Sequence, residues 1–238
     1  MKKIAPLVVI MTIFPSLIFA DITRKVIERH AEITKGDTTL PAIPKTVTYL
    51  NSKGKEVAKE EYDESGVVIT TTGKIPNGSV KEYYASGSVL ASYNYKNGRM
   101  EGENKGYYEN GVLRGEWNYK AGNLEGVVRE YYTNGALRSQ LHYKNDERDG
   151  KCEVFSEDKK PVASWEYKDG KREGVNLVYF ENSEKLQFEQ YYQDNVRNGP
   201  AREYYLNGKL KKEYTYKNGV LDGKASTYDE SGNLLSIK

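Results

Sequence analysis

A glycine returns every 24 residues through most of this chain, and that period limits the fold more than any other feature. It stands at Gly78, Gly102, Gly126, Gly150, Gly174, Gly199 and Gly223, so a single step is 25 residues and the others are 24. Five residues after each glycine stands an aromatic: Tyr83, Tyr107, Tyr131, Phe155, Tyr179, Tyr204 and Tyr228. A second column runs Tyr95, Tyr119, Tyr143, Tyr167, Tyr191 and Tyr216. A third holds Tyr93, Trp117, Leu141, Trp165 and Tyr214. Such fixed-period self-similarity is the signature of stacked supersecondary units, each of which buries its apolar surface only against its neighbours.

The unit is a β-hairpin. Its second run alternates, as in Leu113, Gly115, Trp117 and Tyr119, which is the strand period of two. Turn pairs separate the runs: Ser-Gly at 86–87, and Asn-Gly at 110–111, 134–135 and 207–208. A second set closes the unit, with Asn-Gly at 97–98 and 218–219 and Asp-Gly at 169–170. Asn and Gly tolerate the positive φ that tight hairpin turns demand. Two units lack the first-turn glycine, at Asp158-Lys159-Lys160 and Asn182-Ser183-Glu184, and looser loops or local kinks are expected there. The expected fold is all-β: an elongated single-layer sheet of stacked hairpins, with equivalent residues two strands, roughly 9.5–10 Å, apart.

Composition suits a thin sheet. Only 37% of residues are apolar, and 21 Tyr stand against 5 Phe and 2 Trp. Tyr joins a wide apolar ring to a hydroxyl that stays wet. The aromatic columns can hold a sheet together through cross-strand pairs of about 0.2–1 kcal/mol each.

Residues 1–20 have the layout of a secretory signal peptide: Lys2 and Lys3, an apolar run from Ile4 to Phe19, then Ala20 before Asp21. The expected outcome is export, with the segment cleaved after Ala20 or retained as an anchor. Residues 21–44 read as a linker or short helix, because Ile22, Val26, Ile27 and Ile33 fit one helical face before Gly36, Pro41 and Pro44 break it. Residues 45–77 read as a degenerate N-terminal repeat, and 78–238 as the regular array. Without Lys2 and Lys3, 34 basic residues face 34 acidic ones. A near-neutral chain lacks the basic excess that nucleic acid or anionic membrane binding requires.

Gly115-Glu116-Trp117, the turn glycine Gly122 and Glu125-Gly126 resemble the MORN repeat. The paired Tyr, the Asn-Gly-x-Leu turn and the Tyr-Lys-Asn-Gly closure are closer to the bacterial MORN-variant group, often labelled YwqK-type antitoxin. The resemblance covers about residues 45–238. It implies a hairpin array that binds proteins or phospholipids, sometimes appended to catalytic domains such as lipid kinases. No segment here fits such a domain.

Recurring polar columns admit a chemical reading and a structural one. Glu101, Glu125, Asp149, Glu173 and Asp222 precede unit-start glycines. A repeat apart, roughly 10 Å, they are too far from one another to share a Ca²⁺ with ligands at about 2.4 Å, and they read as turn residues. Lys96, Lys120, Lys144, Lys168 and Lys217 read as edge and turn lysines that discourage aggregation. The single Cys152 admits no internal disulfide. His30 and His142 are far apart, and Ser86, Ser139 and Ser164 have no His or Asp at a recurring offset. No phosphate-cradling loop, metal set or cofactor site emerges, and no catalytic constellation.

The aromatic columns remain as candidate binding residues: Tyr83, Tyr107, Tyr131, Tyr179, Tyr204, Trp117 and Trp165. The leading expectation is an exported, non-catalytic scaffold with a protein partner, its oligomeric state open. The alternatives are a cell-wall carbohydrate-binding module, for which two Trp are few, and an antitoxin-like binding protein.

Overall fold

The computed structural model describes residues 23–29, 33–35, 38–40, 44–63, 65, 67–75 and 77–238. Among them every regular element is a strand. The expected signal peptide at 1–20 lies outside the described residues. The chain divides into two compact units, Met1–Gly111 and Val112–Lys238.

In the C-terminal unit the 24-residue period becomes a row of antiparallel hairpins. Gly126–Tyr131 pairs with Leu137–Lys144, Gly150–Phe155 with Pro161–Lys168, and Gly174–Tyr179 with Leu186–Gln193. Val196–Tyr204 pairs with Leu210–Lys217, and Ser226–Tyr228 with Leu234–Ile237. Each hairpin joins the next by further antiparallel pairing, as between Ser139 and Val154. The result is the expected single layer, with side chains alternating between two faces.

The two turns of a unit differ in kind. The closing turn has two residues of positive φ, such as Asn145 (49°) with Asp146 (68°), and Asp169 (46°) with Gly170 (76°). This is the mirror-image turn whose twist matches the strands. The first turn is a three-residue loop instead: Tyr132 N–H donates to Ala136 O, and Gly135 N–H to Tyr132 O. There Gly135 has positive φ (81°), whereas Asn134 does not and instead accepts a hydrogen bond from Ala136 N–H at 2.8 Å.

The two turns without glycine resolve differently from each other. Lys159 takes the left-handed conformation (φ 64°), and the loop keeps the hydrogen bonds of its glycine-bearing relatives, so it is not looser. At 181–184 the loop does carry an extra residue, closed by Phe180 N–H to Lys185 O. This insertion accounts for the 25-residue step. It also moves the second column by one: Gly174 pairs with Tyr192, as Gly126 pairs with Tyr143 and Gly150 with Tyr167. Tyr192, not Tyr191, is therefore the member of that column.

Residues 23–29 correct the expectation of a helix or linker over 21–44. Thr23–Arg29 is a strand, antiparallel to Pro44–Leu50 and parallel to Gly78–Tyr83. Its Val26-Ile27 pair is β-branched and suits a strand better than a short helix. Residues 44–73 form a three-strand meander, Pro44–Leu50, Glu56–Tyr62 and Val68–Gly73. The sheet of this N-terminal unit turns back on itself. Tyr49 and Tyr95 lie on strands separated by two others, yet their rings meet edge-to-face at 5.8 Å. They close a core of Val47, Tyr49, Ala58, Ile75, Val80 and Tyr95. The strands Pro44–Leu50 and Glu56–Tyr62 thus pack over the first regular hairpin.

Candidate binding face

The register assigns each recurring column in the C-terminal unit to a face. Val128 opposes Leu141, Cys152 opposes Trp165, Asn176 opposes Gln190, and Ala201 opposes Tyr214. These pairs share one face, here the aromatic face. The first-strand members are small or medium and buried, from Ala201 and Cys152 at 0% exposure to Asn176 at 5%. Burial pushes the Cys152 thiol up, which keeps it unreactive. Two residues before Trp117, Leu141 and Trp165 stands a small one, Gly115, Ser139 and Ala163, whereas Phe188 and Lys212 precede Gln190 and Tyr214. A β-carbon on Gly115 would come within 2.7 Å of the Trp117 ring, so that indole lies across the glycine. The Gly-Glu-Trp triplet is thereby explained as a slot and its filler.

The Tyr column adjoins this row on the same face, paired cross-strand with the residue that follows the closing turn. Tyr143 opposes Arg148, Tyr167 opposes Arg172, and Tyr192 opposes Arg197. Each guanidinium also lies over the ring of the next hairpin. Arg148 is 5.3 Å from the Tyr167 centroid, Arg172 5.5 Å from Tyr192, and Arg197 5.2 Å from Tyr216. Arg148 Nη1 and Arg172 Nε donate to the Tyr167 hydroxyl at 3.3 and 3.4 Å, and Arg197 Nη1 donates to Tyr216 at 3.2 Å. Burial raises Tyr167, but the bonds from Arg172 and Arg148 outweigh it and leave this phenol below its usual range.

The opposite face is charged and internally paired. Arg202 bridges Glu189 (2.6 Å) and Glu213 (3.0 Å), Arg129 reaches Glu116 (3.8 Å), and Lys151 meets Glu153 (2.7 Å). The first aromatic column belongs here. Tyr131 donates to Glu116 at 3.2 Å, and burial followed by Glu189 raises the Tyr204 phenol. Tyr131, Tyr179 and Tyr204 each stand at a bulge opposite a leucine, Leu137, Leu186 and Leu210. In the N-terminal unit Tyr83 stands the same way opposite Val89, and Tyr107 is half-buried at the end of its strand. The seven candidate residues therefore do not form one site. Trp117 and Trp165 lie on the aromatic face, and the tyrosines of the C-terminal unit lie on the charged one.

The acidic column has a structural role. Glu125 accepts from Asn145 N–H (3.1 Å), Asp149 from Asp169 N–H (3.1 Å), and Glu173 from Asp194 N–H (3.0 Å). Each carboxylate thus holds the closing turn of the following unit. Among the described residues no group of three or more His, Cys, Asp or Glu is placed to hold a metal ion.

Two features escaped the sequence reading. In three Tyr pairs the second member links repeats: Tyr84 donates to Tyr107 O (2.7 Å), Tyr132 to Phe155 O (2.9 Å), and Tyr205 to Tyr228 O (2.8 Å). The arginines also recur with the period, at 148, 172 and 197.

The arrangement defines a class: an open array of β-hairpin repeats presenting two chemically different faces. The chain belongs to the MORN repeat variant family, which it matches over residues 76–97, 100–121, 124–145, 197–218 and 221–238. The stretch from 146 to 196 is not matched, although its hairpins continue the same sheet. It contains the two turns without glycine and two of the three ladder arginines. No curated protein matches the chain. MORN repeats are in general scaffolds that bind proteins or membranes, and the family is typically non-enzymatic.

Proposed function

We propose that the protein is an exported, non-catalytic scaffold that engages a protein partner at the cell envelope or outside the cell, through the aromatic face of its C-terminal unit. One observation carries the reading: the two faces are unequal in what they leave unsatisfied. Charges on one face neutralise each other in pairs, as around Arg202. The other offers half-exposed rings beside guanidiniums stacked on phenols. Aromatic and Arg side chains are the ones that anchor protein interfaces.

Export is supported by Lys2, Lys3 and the apolar run that ends before Ala20. N-terminal sequencing of the protein from its native cell should begin at Asp21; cytoplasmic protein with Met1 intact contradicts export. The binding reading is tested by cross-linking capture from envelope and extracellular fractions with Ser substitutions made column by column. Trp165→Ser with Tyr214→Ser should abolish capture, and Tyr131→Ser with Tyr204→Ser should leave it. Loss of capture only with the second pair overturns the face assignment, and capture of nothing by the parent protein overturns the scaffold. Co-sedimentation with peptidoglycan in place of protein capture would identify a carbohydrate module instead.

A further inference from the structure

The ladder of Tyr143, Arg148, Tyr167, Arg172, Tyr192, Arg197 and Tyr216 is the most ordered set of unneutralised charge in the C-terminal unit. No ion pair involves Arg148, Arg172 or Arg197 among the described residues, although Arg129 and Arg202 on the other face are paired. A guanidinium has five N–H donors. Each guanidinium is held by two phenols, Arg148 by Tyr143 and Tyr167, Arg172 by Tyr167 and Tyr192, and Arg197 by Tyr192 and Tyr216, which leaves about three of its five donors, and stacking on a ring occupies its flat side and not its edge. Donors therefore remain for a bidentate carboxylate. The acidic residues of this face, Glu130 and Glu203, are occupied by Ser139 Oγ and the Tyr214 hydroxyl. They sit one side-chain row further along the strands, beyond Leu141 and Tyr214. Glu125, Asp149 and Glu173, near the closing turns, are bound to backbone N–H groups.

Spacing selects the ligand. The arginines recur once per hairpin, two strands or roughly 9.5 Å apart. A β-strand laid along them would turn alternate residues away, and no whole number of residue pairs matches that distance. A polyproline II helix has three residues per turn and a rise of about 3.1 Å, so every third side chain points the same way at a repeat of roughly 9.3 Å. Such helices dock on aromatic surfaces, and Trp165 and Tyr214 flank the ladder on this face.

We propose that Arg148, Arg172 and Arg197 bind an extended acidic peptide in polyproline II conformation, running across the strands, with a carboxylate at every third residue. This names the partner chemistry of the scaffold reading and rests on it. The sheet supplies the register, and the phenols hold each guanidinium in line so that little side-chain freedom is lost on binding.

The probe is a fluorescein-labelled (Glu-Pro-Pro)₅ peptide titrated into the full chain and followed by anisotropy. A (Glu-Pro)₅ peptide of equal charge places its acids out of register. The expected result is saturable binding of the first, at least 10-fold tighter than the second, weakened about 10-fold by Arg172→Gln and abolished by the triple Arg→Gln variant. Loss variants can perturb the stacking, so a gain variant accompanies them. Leu221 opposes Tyr216 as Arg197 opposes Tyr192, and is 48% exposed. Leu221→Arg adds a rung and should tighten binding several-fold. Equal affinity for the two peptides, indifference to Arg172→Gln in a folded variant, or no gain from Leu221→Arg overturns the proposal. So does Arg-dependent binding of phosphatidylserine vesicles without peptide binding. If the ladder variants bind neither peptide yet capture a protein partner as the parent does, the scaffold reading survives and the ladder does not. If the parent captures nothing as well, both fail.

Discussion

Lys159 shows how much of a turn depends on one residue. It takes the conformation that glycine supplies at Gly135 and Gly208 in the same loop position. An L-residue there is strained by about 1–2 kcal/mol, partly offset because glycine loses more freedom on folding. Lys159→Gly is therefore expected to stabilise the protein by about 0.5–1 kcal/mol in chemical denaturation. A lower midpoint would mean that the lysine makes a compensating contact. The converse change, Gly135→Ala, should destabilise by about 1–2 kcal/mol. At this scale the sequence was informative about glycine turns and uninformative about Lys159, because a lysine carries no local signal for positive φ.

At the scale of the hairpin, the contacts between successive units matter more than those within one. The Tyr132 hydroxyl reaches the Phe155 carbonyl 23 residues on, and Asp149 holds the next closing turn. Tyr132→Phe removes a single half-buried hydrogen bond and should cost about 0.5–1.5 kcal/mol. Asp149→Ala should cost about 1 kcal/mol. Hydrogen exchange should localise the second effect to the amide of Asp169. Unchanged protection at that amide would show that the carboxylate does not cap it. Period, hairpin and column membership were legible in the sequence because a two-residue alternation survives in nearly every unit. The exception was the shift from Tyr191 to Tyr192, since an inserted residue can be placed only once a register shows which loop absorbs it. The faces were not legible either. Tyr131 and Trp117 both read as column aromatics, and only the pairing sends them to opposite sides. Nor was the strand at Thr23–Arg29, whose partners lie on two strands distant in sequence.

For the whole molecule, the phenol most strongly raised by burial lies in the N-terminal unit, at Tyr49. Burial, then Tyr95 and Glu60, raises the Tyr49 phenol well above its usual range. Unfolding would free that phenol to ionise near pH 10. Its contribution is thus complete below pH 10 and is lost as pH rises above it, by about 1.4 kcal/mol per pH unit until the folded phenol ionises. The N-terminal unit should open first in alkali, seen as hydrogen exchange at 44–62, and Tyr49→Phe should flatten that dependence. An equal slope in the variant would assign the effect to other groups.

In the proposed scaffold the aromatic face of the C-terminal unit meets the partner. Tyr191 and Tyr192 are adjacent, half-buried, and point to opposite faces, paired with Val175 and Gly174 respectively. Placing a photo-crosslinking benzoylphenylalanine at each in turn, in the full chain in its native cell, compares the faces one residue apart. Cross-linking to a protein from position 192 and not from 191 is the predicted result; cross-linking from 191 alone, or equally from both, contradicts the account.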